Sequence, residues 1–371
     1  MTATAAPPIA EAVAAAPRER PGRVAVLDGL RLLAAVSVMC YHYLALPDGW
    51  GEQAREVFPH AYLPAAYGWL GVQLFFLISG FVICMSAWGR GLGSFFTSRA
   101  SRLYPAYWTA VLLSAVVLTV WPLTHSAPRF GDVLTNLSMV HEPLGVDSVD
   151  GVYWTLWVEL RFYLLFALVV AWRGLTYRRV VAFCLLWTVA SVVAEAADNR
   201  LVTVVVDPQY SAYFIAGIAC FLMYRFGQSP LLWAIVGISF VIAEHQVWVT
   251  FTNVEENIEH DLPNWPVLVI LAGCFVLIAA VGTGVLDRVR AGWLTVAGAL
   301  TYPLYLVHAE IGWVIIRAAK DSVPPAALIA LLAAGMGVLA WLVHRLVERP
   351  FTPLVRRTLL RELDRIRDSR A

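Results

Sequence analysis

Long apolar stretches alternate along this chain with short clusters of polar and charged residues. Ten stretches, at roughly 27–46, 68–88, 106–122, 153–172, 180–196, 210–226, 231–249, 264–282, 294–316 and 324–346, are long enough to cross a hydrocarbon core, which takes about 17–25 helical residues. The pattern predicts an all-α polytopic integral membrane bundle of about ten transmembrane helices. Glu195 and the short connection 197–209 leave the facing ends of the fifth and sixth helices least sharply marked. Before the first helix, residues 1–23 are Ala- and Pro-rich, without the basic start and apolar core of a cleavable signal peptide. They read as a disordered tail, followed by a membrane domain over 24–350 and a basic tail over 351–371 that forms a short amphipathic helix on the inner membrane surface.

Charge sets the orientation. Numbering the connections alternately from the N-terminus, one set carries twenty basic residues and the other only Arg55, Arg129, Arg200, Arg317 and Lys320. By the positive-inside rule both termini face the cytoplasm of a cell membrane, and the even span count agrees. The opposite connections are acidic, with Asp132, Glu142, Asp147 and Asp150 in 123–152 and Glu255, Glu256, Glu259 and Asp261 in 250–263. The longest of them, 123–152, is a candidate lid or acceptor platform. Composition fits the same picture: 60% of the 371 residues are apolar and 14% charged, and the net charge is +1. Soluble domains run nearer 45–50% apolar and about 25% charged. Nucleic-acid binding, disorder and a disulfide scaffold are excluded together, since the five cysteines are scattered through apolar runs.

Ionisable residues within spans are costly and mark function. The first helix carries Arg31 and His42, eleven residues apart. Eleven steps of 100° bring them to within about 20° of one face, some 16 Å apart along the axis. In the fourth helix Glu159 follows Trp154 and comes to a depth similar to that of His42 from the opposite direction. A Glu159–His42 pair would orient the imidazole as a base; a salt bridge from Glu159 to Arg161 or another arginine is the structural alternative. The ninth helix contributes Tyr302, Pro303, Tyr305 and His308, where Pro303 frees carbonyls for a cavity. Arg99 and Arg102, one turn apart in a connection after the second helix, can grip phosphate together. Ser79 and Gly80 read as residues for close helix packing. No Walker loop, dinucleotide fingerprint or metal-ligand spacing is present, so no metal is expected.

With these residues in view, the chain resembles the membrane-bound acyltransferase family 3. The resemblance rests on Leu27-Asp28-Gly29-Leu30-Arg31 leading to His42, Gly71-Val72 through Ser79-Gly80-Phe81, Arg99-x-x-Arg102-Leu103-Tyr104-Pro105, Trp154-Thr155-Leu156 with Glu159, Tyr302-Pro303-Leu304-Tyr305-Leu306-x-His308, and Val347-Glu348-Arg349-Pro350. At Trp157 the family often has Ser. The resemblance implies transfer of an acyl group, commonly acetyl from acyl-CoA, to a hydroxyl of a sugar, glycan or macrolide-like acceptor. In that expectation Arg31, Arg99 and Arg102 hold the acyl-CoA phosphates, and His42 with Glu159 is catalytic. Tyr302, Tyr305, His308 and Trp154 contact the substrates. A transporter or lipid flippase would use the same buried residues, and a haem protein would take His42 and His308 as axial ligands.

Overall fold

The computed structural model describes residues 24–369, apart from 52, 198 and 290; the expected disorder of 1–23 lies outside the described residues. The principal helices are α1 (Ala25–Leu44), α2 (Gly71–Ala87), α3 (Leu92–Val120), α4 (Trp154–Val169), α5 (Tyr177–Ala196), α6 (Pro208–Phe226), α7 (Pro230–Ile258), α8 (Trp265–Thr283), α9 (Gly292–Val307), α10 (Ala309–Ala319), α11 (Pro325–Val343) and α12 (Arg349–Asp368). Among the described residues there is no strand. Nine helices among the described residues are long and apolar enough to cross a membrane, or ten when the bent pair α9–α10 counts as one span. The ten expected spans correspond one to one with these helices.

Helix α6 is the axis of the bundle, buried along almost its entire length and crossed closely by α2. The crossing depends on the absence of side chains at two positions. A Cβ at Gly80 would overlap the Phe214 carbonyl oxygen, and one at Gly217 would overlap the Leu77 carbonyl oxygen. Small residues permit such backbone approach where lipid offers no hydrophobic drive for helix association. The outer helices bury one side and expose the other, with Val116, Leu186 and Leu331 more than half exposed. In water such surface would be untenable, whereas hydrocarbon is its natural solvent. The fold is thus that of a multi-pass membrane protein.

Three connections are more helical than the hydropathy pattern predicts. Arg99 and Arg102 lie inside α3, which starts at Leu92 and runs through Pro105, so the expected loop is about four turns of helix. Helix α7 continues to Ile258 and takes up the acidic residues Glu255 and Glu256. Past α11 a π-turn over His344–Glu348 leads directly into α12, which packs on α3. Hydropathy marks only the apolar part of a helix, and these extensions are polar.

Candidate active site

One end of the bundle is rich in arginine and the other in carboxylates, and a chamber of about 120 Å³ lies between them toward the arginine-rich side. Its polar wall consists of Arg31 from α1, Arg99 and Arg102 from α3, and Ser79, Glu159 and Tyr163 from α2 and α4; Tyr302 and Tyr305 of α9 close it. The helical spacing of Arg99 and Arg102 turns both toward this space, because residues three apart share a helix face. Arg31 pairs with Asp28 at 3.3 Å. The Nε of Arg99 is buried and makes no hydrogen bond. Three guanidinium groups thus line the chamber with Glu159 as the only carboxylate among its lining residues, an arrangement that calls for an anion.

Glu159 does not pair with His42. Its carboxylate accepts a hydrogen bond from Ser79 Oγ, and Tyr163 adjoins the same group. Nor does it pair with Arg161, which is bound to Asp207 at 2.9 Å; the arginines that share its surroundings are Arg31, Arg99 and Arg102. Equal depth on two helices does not decide which faces meet, and α4 turns Glu159 toward the arginines. Ser79, read from sequence as a packing residue, is therefore a polar member of the chamber. Its signal was only the hydroxyl inside an otherwise apolar helix.

The partner of His42 is His308. Their rings contact edge to face with centroids 4.9 Å apart, and His42 Nδ1 is 3.0 Å from His308 Nε2. Two carbonyls, which can only accept, assign the protons. His308 Nδ1–H donates to Tyr305 O at 2.8 Å, so its Nε2 carries the lone pair. His42 Nδ1–H then donates toward His308 Nε2 and Val38 O, the latter at 2.9 Å. That network leaves the lone pair of His42 on Nε2, the state required of a base. Direct contact between the imidazoles leaves no room for an iron between them, contrary to the axial-ligand reading.

His308 occupies this position because the ninth span breaks there. Pro303 removes a backbone donor within α9, and α10 departs at 65°. The carbonyls near the break are taken up by side chains: Tyr305 O by His308, Leu306 O by Tyr153 at 3.2 Å, and His308 O by Tyr43 at 2.6 Å. Trp313 Nε1 donates to His42 O at 2.9 Å, tying α10 back to α1. Tyr305 links the two halves of the site. It lines the chamber, its hydroxyl bonds Thr155 at 2.8 Å, and its ring lies 5.7 Å from that of His308.

Beyond the histidines, at the carboxylate-rich end, Asp150 accepts from the backbone N–H of Glu310 at 3.2 Å and of Val152 at 3.2 Å. It thereby caps the start of α10, whose first N–H groups have no intrahelical partner. Burial, reinforced by the nearby Glu310 charge, pushes the Asp150 carboxyl up to about 7. His125, in the 123–152 connection, meets Glu310 at 2.7 Å, and this hydrogen bond holds the imidazolium above its usual range. Asp150, His125 and Glu310 escaped sequence reasoning, since nothing local in an acidic connection marks which carboxylate turns inward. Trp154 also stands apart from its predicted companions. It packs on Phe76 and Tyr210 and faces a separate cavity of about 500 Å³ that also includes Arg161 and Asp207.

No solved structure matches the chain. Over 190 residues, covering 49% of this chain and 47% of the relative, it is 27% identical to acyltransferase MdmB of Streptomyces mycarofaciens; the match thus spans about half the length of that protein. Residues 24–345 match the acyltransferase domain of the acyltransferase 3 family, a stretch that includes every residue of the chamber and of the histidine pair, and the chain belongs to that family.

Proposed function

We propose that the protein is an integral-membrane O-acyltransferase that transfers an acyl group, acetyl by preference, from acyl-CoA to a hydroxyl of a sugar, glycan or macrolide-like acceptor. The observation that carries this reading is the pairing of an arginine-lined chamber with a histidine whose Nε2 lone pair is held free. The arginine-rich end faces the cytoplasm, by the bias of twenty basic residues against five, so donor enters from the side where acyl-CoA is made.

In this mechanism Arg31, Arg99 and Arg102 hold donor phosphate, and the thioester reaches toward Tyr305. His42 Nε2 takes the proton of the acceptor hydroxyl as its oxygen bonds the acyl carbon and the carbon–sulfur bond breaks. The thiolate leaves as coenzyme A and takes up a proton. His308 is a positioning residue that stabilises the imidazolium through His42 Nδ1–H. Glu159, held by Ser79, orders the arginines and replaces the expected role beside His42. Chamber residues Tyr302 and Tyr305 face the donor, while Trp154 lines a separate cavity and takes no part in the step at His42. A transporter built on the same residues would not cleave the thioester.

The test is purified protein in lipid nanodiscs with acetyl-CoA labelled in the acetyl group, following free thiol release. Turnover that falls about 10²–10⁴-fold in His42→Ala, together with a raised donor KM in Arg99→Ala/Arg102→Ala, supports the reading. A folded protein that neither binds nor cleaves acetyl-CoA would overturn it.

A further inference from the structure

The chamber is too small for the donor it is proposed to hold. Pockets for drug-sized ligands run to about 300–1,000 Å³, and an acyl-CoA, with a nucleotide, three phosphates and a pantetheine arm, belongs at the upper end. A space of about 120 Å³ accommodates only the acyl end and part of the arm. The remaining volume is adjacent. A second cavity of about 580 Å³ shares Arg31, Arg102, Gly298 and Tyr302 with the chamber and extends from them toward the C-terminal segment. Its far wall is formed by His344 and Glu348 of the π-turn and by Arg349 and Thr352 at the start of α12.

Charge in this second cavity also suits an anion. Asp28 is paired with Arg31 at 3.3 Å and Glu348 with His344 at 2.6 Å. Among the described residues neither Arg102 nor Arg349 forms an ion pair, so the surplus is positive. The π-turn has a local consequence. His344 and Glu348, four residues apart, both line the cavity, and the π-turn leads directly to Arg349, which opens α12 at the rim; such turns recur at functional sites. Gly298 is needed at the junction, because a Cβ there would meet the Asp28 carboxyl at about 2.6 Å. These residues include Glu348, Arg349 and Thr352, which lie past the 24–345 family match.

We infer that the cavity between α1, α9 and the π-turn–α12 segment binds the phosphorylated nucleotide end of the acyl-CoA, with Arg349 and Arg102 on its phosphates, and that the narrow chamber takes the thioester. The inference rests on acyl-CoA being the donor. It assigns the C-terminal helix a part in donor binding beyond anchoring at the membrane surface. Arg349 is exposed, so its replacement leaves the packed core alone.

Equilibrium binding in nanodiscs tests this with three probes: acetyl-CoA, acetyl-pantetheine, which lacks the nucleotide, and 3′,5′-ADP, which lacks the arm. Wild-type protein should bind acetyl-CoA far more tightly than acetyl-pantetheine, and 3′,5′-ADP should compete with acetyl-CoA. Arg349→Gln should weaken acetyl-CoA and 3′,5′-ADP about tenfold, as expected for one lost charge-assisted contact, and leave acetyl-pantetheine unchanged. If Arg349→Gln and His344→Gln both bind acetyl-CoA as the wild type does, the nucleotide lies elsewhere and only this extension fails. If the folded wild type binds no acetyl-CoA, the donor assignment itself fails.

Discussion

Replacing His308 by Ala removes one imidazole and leaves the rest of the break in the ninth span in place. The bonds from Tyr43 to His308 O and from Tyr153 to Leu306 O involve backbone carbonyls that Ala retains. What is lost is the acceptor 3.0 Å from His42 Nδ1. In the ground state Val38 O, at 2.9 Å, still receives that proton, so the tautomer survives. In the transition state His42 is cationic, and a hydrogen bond to a charged group is worth about 1.5–3 kcal/mol. At 1.36 kcal/mol per decade that is about a 10- to 150-fold fall in kcat, smaller than the loss in His42→Ala because the base remains. His308→Asn, whose amide oxygen can accept from the same N–H, should recover part of the rate. The double variant His42→Ala/His308→Ala should be little slower than His42→Ala, since the second residue acts only through the first. Steady-state thiol release with donor and acceptor varied separately reads all three. A His308→Ala enzyme with wild-type kcat and a raised acceptor KM would refute the positioning role and make His308 a substrate contact.

Three further outcomes follow from the packing and electrostatics. Ser79→Ala strips Glu159 of its hydroxyl donor beside three arginines and should raise donor KM by about tenfold, the cost of one hydrogen bond to a charged group; unchanged donor KM would detach Ser79 from the site. Gly217→Ala drives a methyl group into the Leu77 carbonyl and should cost about 1–3 kcal/mol by overpacking, seen as a lower apparent melting temperature in nanodiscs; an unshifted transition would mean that α2 and α6 are less closely apposed. Asp150 keeps its proton in the folded state up to about pH 7, whereas the unfolded chain releases it near the ordinary carboxyl value. Its contribution is therefore fully present below about pH 4 and lost as pH rises through 7, with His125, also raised, losing its share over the upper part of that range. Asp150→Asn should flatten the fall in apparent melting temperature between pH 5 and 8, and a profile as steep as the wild type's would remove Asp150 as its source.

Hydropathy alone determined the number and order of the spans, because the part of a helix that crosses hydrocarbon must be apolar for about twenty residues and little else in a chain is. The Arg-x-x-Arg spacing puts both side chains on one face because the segment is helix, and Arg31 and His42 stood out by their cost in lipid. Tertiary structure decided the partners. Glu159 and His42 lie at comparable depth by residue count, yet the rotation of each helix about its axis turns one toward Ser79 and the other toward His308. No periodicity in a helix that is apolar on nearly all sides reveals that rotation. The inward turn of Asp150 and the placing of the start of α12 in one cavity with Arg31 and Arg102 are of the same kind: each depends on residues more than a hundred positions apart in the chain, brought together by the geometry of the bundle.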